Sequence, residues 1–212
     1  MSSGKAVVLK MTSGSDNVTL GAGVNGLTGK VEITSTGSIM QSGTGVISAG
    51  EVDLTASGAS IGSSGTPLLT STGTLNAAAI AGSIYITNSG GAALNLGVIN
   101  ASGAVQLVSD GDITLTALNC SCLGNYVTGS TVSIYAVGNV SLDMTSTGNP
   151  ADSITSTGGD VAIYAGYNFG TSTYVNASTA TAARPARPAP RPGTSWASWT
   201  ASPIRTPAGP RP

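Results

Sequence analysis

Gly29-Lys30-Val31-Glu32-Ile33-Thr34-Ser35-Thr36-Gly37 sets two β-branched side chains on either side of one carboxylate, between two glycines. Successive side chains of a strand point to opposite faces, so Val31 and Ile33 share one face and Glu32 takes the other. The phrase returns as Gly50-Glu51-Val52-Asp53-Leu54-Thr55-Ala56-Ser57-Gly58. It returns again as Gly82-Ser83-Ile84-Tyr85-Ile86-Thr87-Asn88-Ser89-Gly90 and Gly103-Ala104-Val105-Gln106-Leu107-Val108-Ser109-Asp110-Gly111. Looser copies run from Ser130 to Gly138 and from Gly159 to Gly166. One strand and one turn cannot bury an apolar face alone, so a repeated strand-turn unit stacks on its own copies and makes a solenoid.

The first aliphatic positions of the phrases are Val31, Val52, Ile84, Val105, Val132 and Val161, spaced 21, 32, 21, 27 and 29 residues apart. A coil near 21 residues with occasional loops fits this series. The 32-residue interval holds Gly62-Ser63-Ser64-Gly65-Thr66-Pro67, and the 27-residue interval holds Asn119 to Tyr126. Further short strands follow the turns, at Ser38-Ile39-Met40, Ala59-Ser60-Ile61, Ile113-Thr114-Leu115 and Val140-Ser141-Leu142. Hairpin meanders would alternate in the same way but would not keep a phase near 21 residues. The expected fold is therefore all-β, a parallel β-helix, with each strand pairing its copies about 4.8 Å above and below. About eight coils would make a rod on the order of 40 Å long. Solenoid ends need caps, and no cap is evident at Met1, so an exposed first coil is expected.

Composition agrees. Only 8% of the 212 residues are charged and 4% are aromatic, against roughly 25% charged in ordinary domains. Small and β-branched residues suit pleated stacks rather than helical bundles. Histidine is absent, which removes the commonest general base and metal ligand. Cys120 and Cys122 would point to the same side of a strand but lack a second ligand pair for zinc, and they read as small packing residues at a turn. Met1 to Lys10 carries too few apolar residues for a secretory signal, and no run reaches the roughly 18–20 residues of a spanning helix.

Charge is split. Residues 1–183 hold all nine carboxylates and only Lys5, Lys10 and Lys30 as cations, and the last 29 residues hold five arginines and no acid. From about Thr179 the grammar changes to Ala183-Arg184-Pro185-Ala186-Arg187-Pro188-Ala189-Pro190-Arg191-Pro192, which has no period and loses a ladder donor at each proline. Residues 1–178 are expected to form the β-helix. Residues 179–212 are expected to be a disordered Ala/Pro/Arg-rich tail, either a linker or the product of a shifted reading frame. Without interleaved lysines or a folded platform the tail arginines do not read as a nucleic-acid site.

The phrase Gly-x-Val-x-Leu/Ile-x-x-x-Gly-x-Ile resembles the repeats of filamentous-haemagglutinin-like adhesins, large bacterial exoproteins of two-partner secretion. The resemblance covers about residues 16–170 and is clearest at Gly29–Ile39, Gly50–Ile61, Gly103–Leu115 and Gly159–Gly166. It implies a right-handed parallel β-helix, a secreted or cell-surface location, and a role in attachment to glycans or proteins of host or neighbouring cells. Against the family pattern, residues 1–212 are expected to carry neither the export signal nor the amino-terminal secretion domain.

Carboxylates are the only candidate catalytic groups. Asp110 and Asp112 sit at a turn, while Glu32, Glu51, Asp53, Asp143 and Asp160 are spread over the coils. Stacking would bring Glu32 beside Asp53, and paired carboxylates can hydrolyse glycosidic bonds. No basic or aromatic cluster accompanies them, so they read as solvated positions and turn formers. Gly158-Gly159-Asp160 lacks the repeat of a calcium-binding β-roll. Asn-x-Ser/Thr at Asn17, Asn100, Asn119, Asn139 and Asn176 reads as turn chemistry. Tyr85, Tyr135 and Tyr164 occupy comparable places beside the aliphatics and are expected to pair across strands. The sequence thus assigns no catalytic, cofactor-binding or metal residue. It points to a non-enzymatic rod segment of an adhesin, with a polysaccharide-acting β-helix enzyme as the alternative and end-to-end association through uncapped coils as a third reading.

Overall fold

The structure is a computed structural model and describes residues 6–115, 126–142, 153–168 and 173–174. It is all-β, a parallel β-solenoid of about six turns. The tail at 179–212, Cys120, Cys122 and Asp143 lie outside the described residues.

The strands fall into three ladders. On the first face Val7–Lys10 pairs with Lys30–Ser35. The ladder continues through residues 51–56, 74–79 and Leu94–Ala101 to Tyr126–Gly129 and Ser153–Ser156. On the second face Val18, Ile39, Ile61, Ile84, Val105, Val132 and Val161 stand one above another. A shorter third ladder holds Val24–Asn25 beneath residues 47–49 and 70–72, and Leu94 beneath Ile113 and Val140. Among the described residues the only antiparallel pair is Tyr167–Asn168 with Thr173–Tyr174.

The phrase copies do not all share one face. Val52 pairs with Leu75, not with Ile84, whereas Ile84 stands over Ile61. The copies at Val31 and Val52 belong to the first face, and those at Ile84, Val105, Val132 and Val161 belong to the second. The 32-residue interval is therefore mainly a change of face. True coil lengths on the second face are 21, 22, 23, 21, 27 and 29 residues. Because the later coils lengthen, the rod has about six turns rather than eight, on the order of 30 Å at 4.8 Å per turn.

Inward positions form one aliphatic column per strand step. Leu54 lies between Ile33 and Ala77, and Leu107 between Ile86 and Ile134, all of them buried. The inward alternation slips by one residue at Gly50 and Gly73, where Ile47–Ala56 and Leu68–Ala79 turn a corner without ending. Among the described residues the buried polar groups sit at strand ends (Ser35, Gln41, Asn88 and Ser109) or just before the Gly73 corner (Thr70 and Thr72), and each has a partner. Asn88 Oδ1 accepts from Thr70 Oγ1 and from the Thr72 amide, both at 3.0 Å. Gln41 Nε2 donates to the carbonyls of Gly43 and Gly45, both at 2.8 Å. Buried polar groups left unpaired cost about 1–3 kcal/mol each, so this pairing is a requirement of the fold.

The turns stack through short side chains. Asn17 Oδ1 accepts the Ser38 amide at 2.7 Å, Ser60 Oγ that of Ser83 at 3.0 Å, and Ser83 Oγ that of Ala104 at 3.0 Å. At the next turn the Asp110 carboxylate accepts the amides of Gly90 and Gly91, each at 2.9 Å, and Asp112 accepts the Asn139 amide at 2.7 Å. This is why the turns are rich in Asn, Ser and Asp. Asx-type acceptors satisfy backbone donors that a tight bend would otherwise leave open.

Candidate functional site

With the backbone ladders and inward columns committed to holding the rod together, the described residues leave their outward side chains for function. Two outward features stand out, one on each long face.

The first is a charged row on the first face. The register places Glu32, Asp53 and Asn76 on successive rungs, and Lys30 beside Glu51. Stacking brings Glu32 and Asp53 to neighbouring rungs, as the phrase spacing implied. Lys30 reaches across to the carboxylate of Asp53 and lies 3.5 Å from that of Glu51. Asn76 Nδ2 donates to Asp53 Oδ1 at 2.8 Å, and its own Oδ1 accepts the Val98 amide at 2.9 Å. The hydrogen bond to Asp53 holds the Lys30 ammonium above its ordinary value of 10.5, against a partial desolvation and helped by the charges of Asp53 and Glu51. A raised folded-state value means the pair adds stability below that ordinary value and loses it as pH rises through the higher one. Both partners are partly solvated, so the contribution is below about 1 kcal/mol. Thermal melts of Lys30→Met should show a small loss at pH 7, and wild type and variant should converge as the pH is raised through the lysine range.

Among the described residues, Asp110, Asp112 and Asp160 are apart from this row. Asp110 and Asp112 cap the turn amides named above. Asp160 lies at another turn, where its carbonyl accepts the Val132 amide at 3.0 Å. Among the described residues no three His, Cys, Asp or Glu side chains converge as a metal set.

The second feature is a groove of about 240 Å³ on the second face, which sequence reasoning missed. It exists because the loop at 62–67 interrupts a strand. Ile61 stands under Ile84 and Leu68 pairs with Ile86, so seven residues cover a step that normally takes two. The surplus rises from the face as a wall. Gly62 starts it with φ of +65°, and a Cβ there would lie 2.3 Å from the Tyr85 carbonyl oxygen. The loop is closed on itself by Ser63 N to Thr66 O at 3.0 Å and Thr66 N to Ser63 O at 3.1 Å. Ser63 and Pro67 form the wall, and Tyr85, Thr87, Gln106 and Val108 the floor.

The tyrosines separate. Tyr85 shares its outward column with Gln106 and Ser133, whereas Val108, Tyr135 and Tyr164 form the adjacent column. Tyr135 and Tyr164 stack with ring centroids 4.8 Å apart and planes 8° from parallel, while Tyr85 stands outside that stack. The phrase itself carries this offset, since Tyr85 lies between its two aliphatics and Tyr135 follows them.

Among the described residues there is no helix long and apolar enough to cross a membrane. A scan against protein-family models, a search of curated proteins and a search of solved structures each return no match for this chain.

Proposed function

We propose that this chain is a non-enzymatic structural rod segment of a secreted or surface-exposed bacterial adhesin, mediating attachment to glycans or proteins on host or neighbouring cells. The observation that supports this reading is the ladder continuity on the two long faces. Backbone bonds run along the axis from rung to rung, which gives a short stiff spacer whose outward side chains form repeated surfaces. The resemblance of the repeat phrase to filamentous-haemagglutinin-like adhesins points the same way.

The alternative is a β-helix enzyme acting on polysaccharides through outward carboxylates, and the Glu32–Asp53 adjacency favours it. The surroundings of Asp53 count against it. One of its oxygens accepts from Asn76 and the other meets the Lys30 ammonium, which leaves it poorly placed as a nucleophile or base. The test is to present the purified chain to cells and to immobilised glycans. Retention with no release of shortened sugars is expected, and turnover of a polysaccharide would reject the adhesin reading.

A further inference from the structure

We infer that the groove beside the 62–67 loop is a subsite for one ring of an uncharged saccharide. The inference rests on reading the rod as an attachment module and names the ligand class for one of its faces. Four observations carry it.

First, the groove is built rather than incidental. The loop wall is fixed by its own paired backbone bonds and by a left-handed Gly62 that only glycine tolerates so close to Tyr85. Second, its lining combines one aromatic ring, an aliphatic side chain and several polar groups, namely Tyr85, Val108, Thr87, Gln106 and Ser63. Concave, partly apolar surfaces with a few convergent polar groups are the usual form of small-ligand sites. A pyranose offers an apolar C–H face for the Tyr85 ring and paired hydroxyls for the Gln106 amide. Among the described residues, the Gln106 amide and the Thr87 and Tyr85 hydroxyls make no hydrogen bond to other groups of the chain. In the charged row, by contrast, Asn76 and Asp53 are already committed to each other.

Third, none of the lining residues is charged, so nothing there would compensate an anionic sugar. Fourth, a peptide strand finds no edge to join. The rungs Ile84–Asn88 and Val105–Ser109 are paired with each other and with further rungs on their outer sides, so their backbone donors are spent and only side chains can read a ligand. At about 240 Å³ the groove is smaller than the roughly 300–1,000 Å³ of sites for drug-sized ligands, which suits one ring. Away from the loop the next rungs of this face carry Tyr135 and Tyr164, so a longer chain would continue over an aromatic pair.

The experiment uses the full chain on an array of uncharged oligosaccharides ending in glucose, galactose, mannose or N-acetylglucosamine, with sialylated and sulfated glycans beside them. Tyr85→Ala and Gln106→Ala are compared with wild type, and Thr55→Ala on the first face serves as control. Both groove positions point outward, so the variants should keep the wild-type far-UV spectrum and melting temperature. The expected result is binding to at least one uncharged glycan, weakened tenfold or more by each groove variant and unchanged by Thr55→Ala. Absence of binding to every uncharged glycan overturns the inference, as does equal binding by wild type and both groove variants. Retention on cells is measured in parallel. If cells retain the chain while the groove variants match wild type on the array, only the subsite falls. If cells do not retain it, the attachment reading falls by itself.

Discussion

Ile84→Asp should abolish the cooperative thermal unfolding of the rod. Ile84 is completely buried, stands in register between Ile61 and Val105, and lies near mid-length on the second face. Its inward neighbours along the rod are aliphatic, so a carboxylate there would be ionised without a partner or protonated without a hydrogen bond. Either state costs several kcal/mol, which is comparable with the 5–15 kcal/mol that most domains have in total. Solenoid stability is a sum of coil terms and nearest-neighbour interfaces, so damage at a central rung also uncouples the coils on either side. Ile84→Ala removes only volume and should cost about 2–5 kcal/mol. Far-UV circular dichroism melts of the three proteins check this. The expected order is a cooperative wild type, a cooperative but less stable Ile84→Ala, and no transition for Ile84→Asp. A wild-type melting temperature for Ile84→Asp would mean the side chain does not point inward.

Gly45→Val should be nearly as damaging, for a different reason. A Cβ at Gly45 would sit 2.2 Å from the Ala22 carbonyl carbon and 2.6 Å from the Gly23 nitrogen, both backbone atoms of the coil below. No side chain can swing aside there, so the two coils would have to separate locally, and overpacking of this kind typically costs 1–3 kcal/mol, occasionally more. The upper end of that range is expected, because Gly45 also presents its carbonyl to the buried Gln41 amide at 2.8 Å. Gly65, at the tip of the 62–67 loop, has nothing within 4 Å of a Cβ. Gly65→Val should therefore melt within about 0.5 kcal/mol of wild type, as surface substitutions usually do. Urea titrations of the pair distinguish close approach of coils from a general aversion to larger residues.

The strands were largely legible in the sequence, and their closure into coils was less so. Val31 and Ile33 around Glu32, or Ile84 and Ile86 around Tyr85, declare inward and outward sides by simple alternation. What alternation does not declare is which face a strand lies on. All the phrase copies obey the same local demand, two inward aliphatics and then a tight turn, whether they lie on the first face or the second. Val52 and Ile84 therefore look equivalent although they belong to different ladders. The distance from one rung to the next depends on how the third face and its corners use up residues, and that is a property of the closed coil. The groove was hidden for the same reason. The loop at 62–67 could be read from its glycines, serines and proline. That it rises beside Tyr85 and Gln106 follows only once Ile61 is known to stand under Ile84. The charged row needed less. Glu32 and Asp53 sit in adjacent first-face copies, so their adjacency could be read from phrase position alone, although the Lys30 and Asn76 contacts that occupy Asp53 could not.

Disulfide trapping between outward positions tests the coil closure most directly. Cys120 and Cys122 are first replaced by Ser. Thr55→Cys is then paired either with Ala78→Cys, its register partner, or with Thr87→Cys, its counterpart if every phrase copy lay on one face. Neighbouring rungs about 4.8 Å apart fall within the 4.4–6.8 Å Cα separation that a disulfide accepts. Mild oxidation should close the 55–78 pair within one molecule and leave the 55–87 pair as free thiols. Closure of 55–87 with 55–78 remaining open would contradict the three-ladder solenoid.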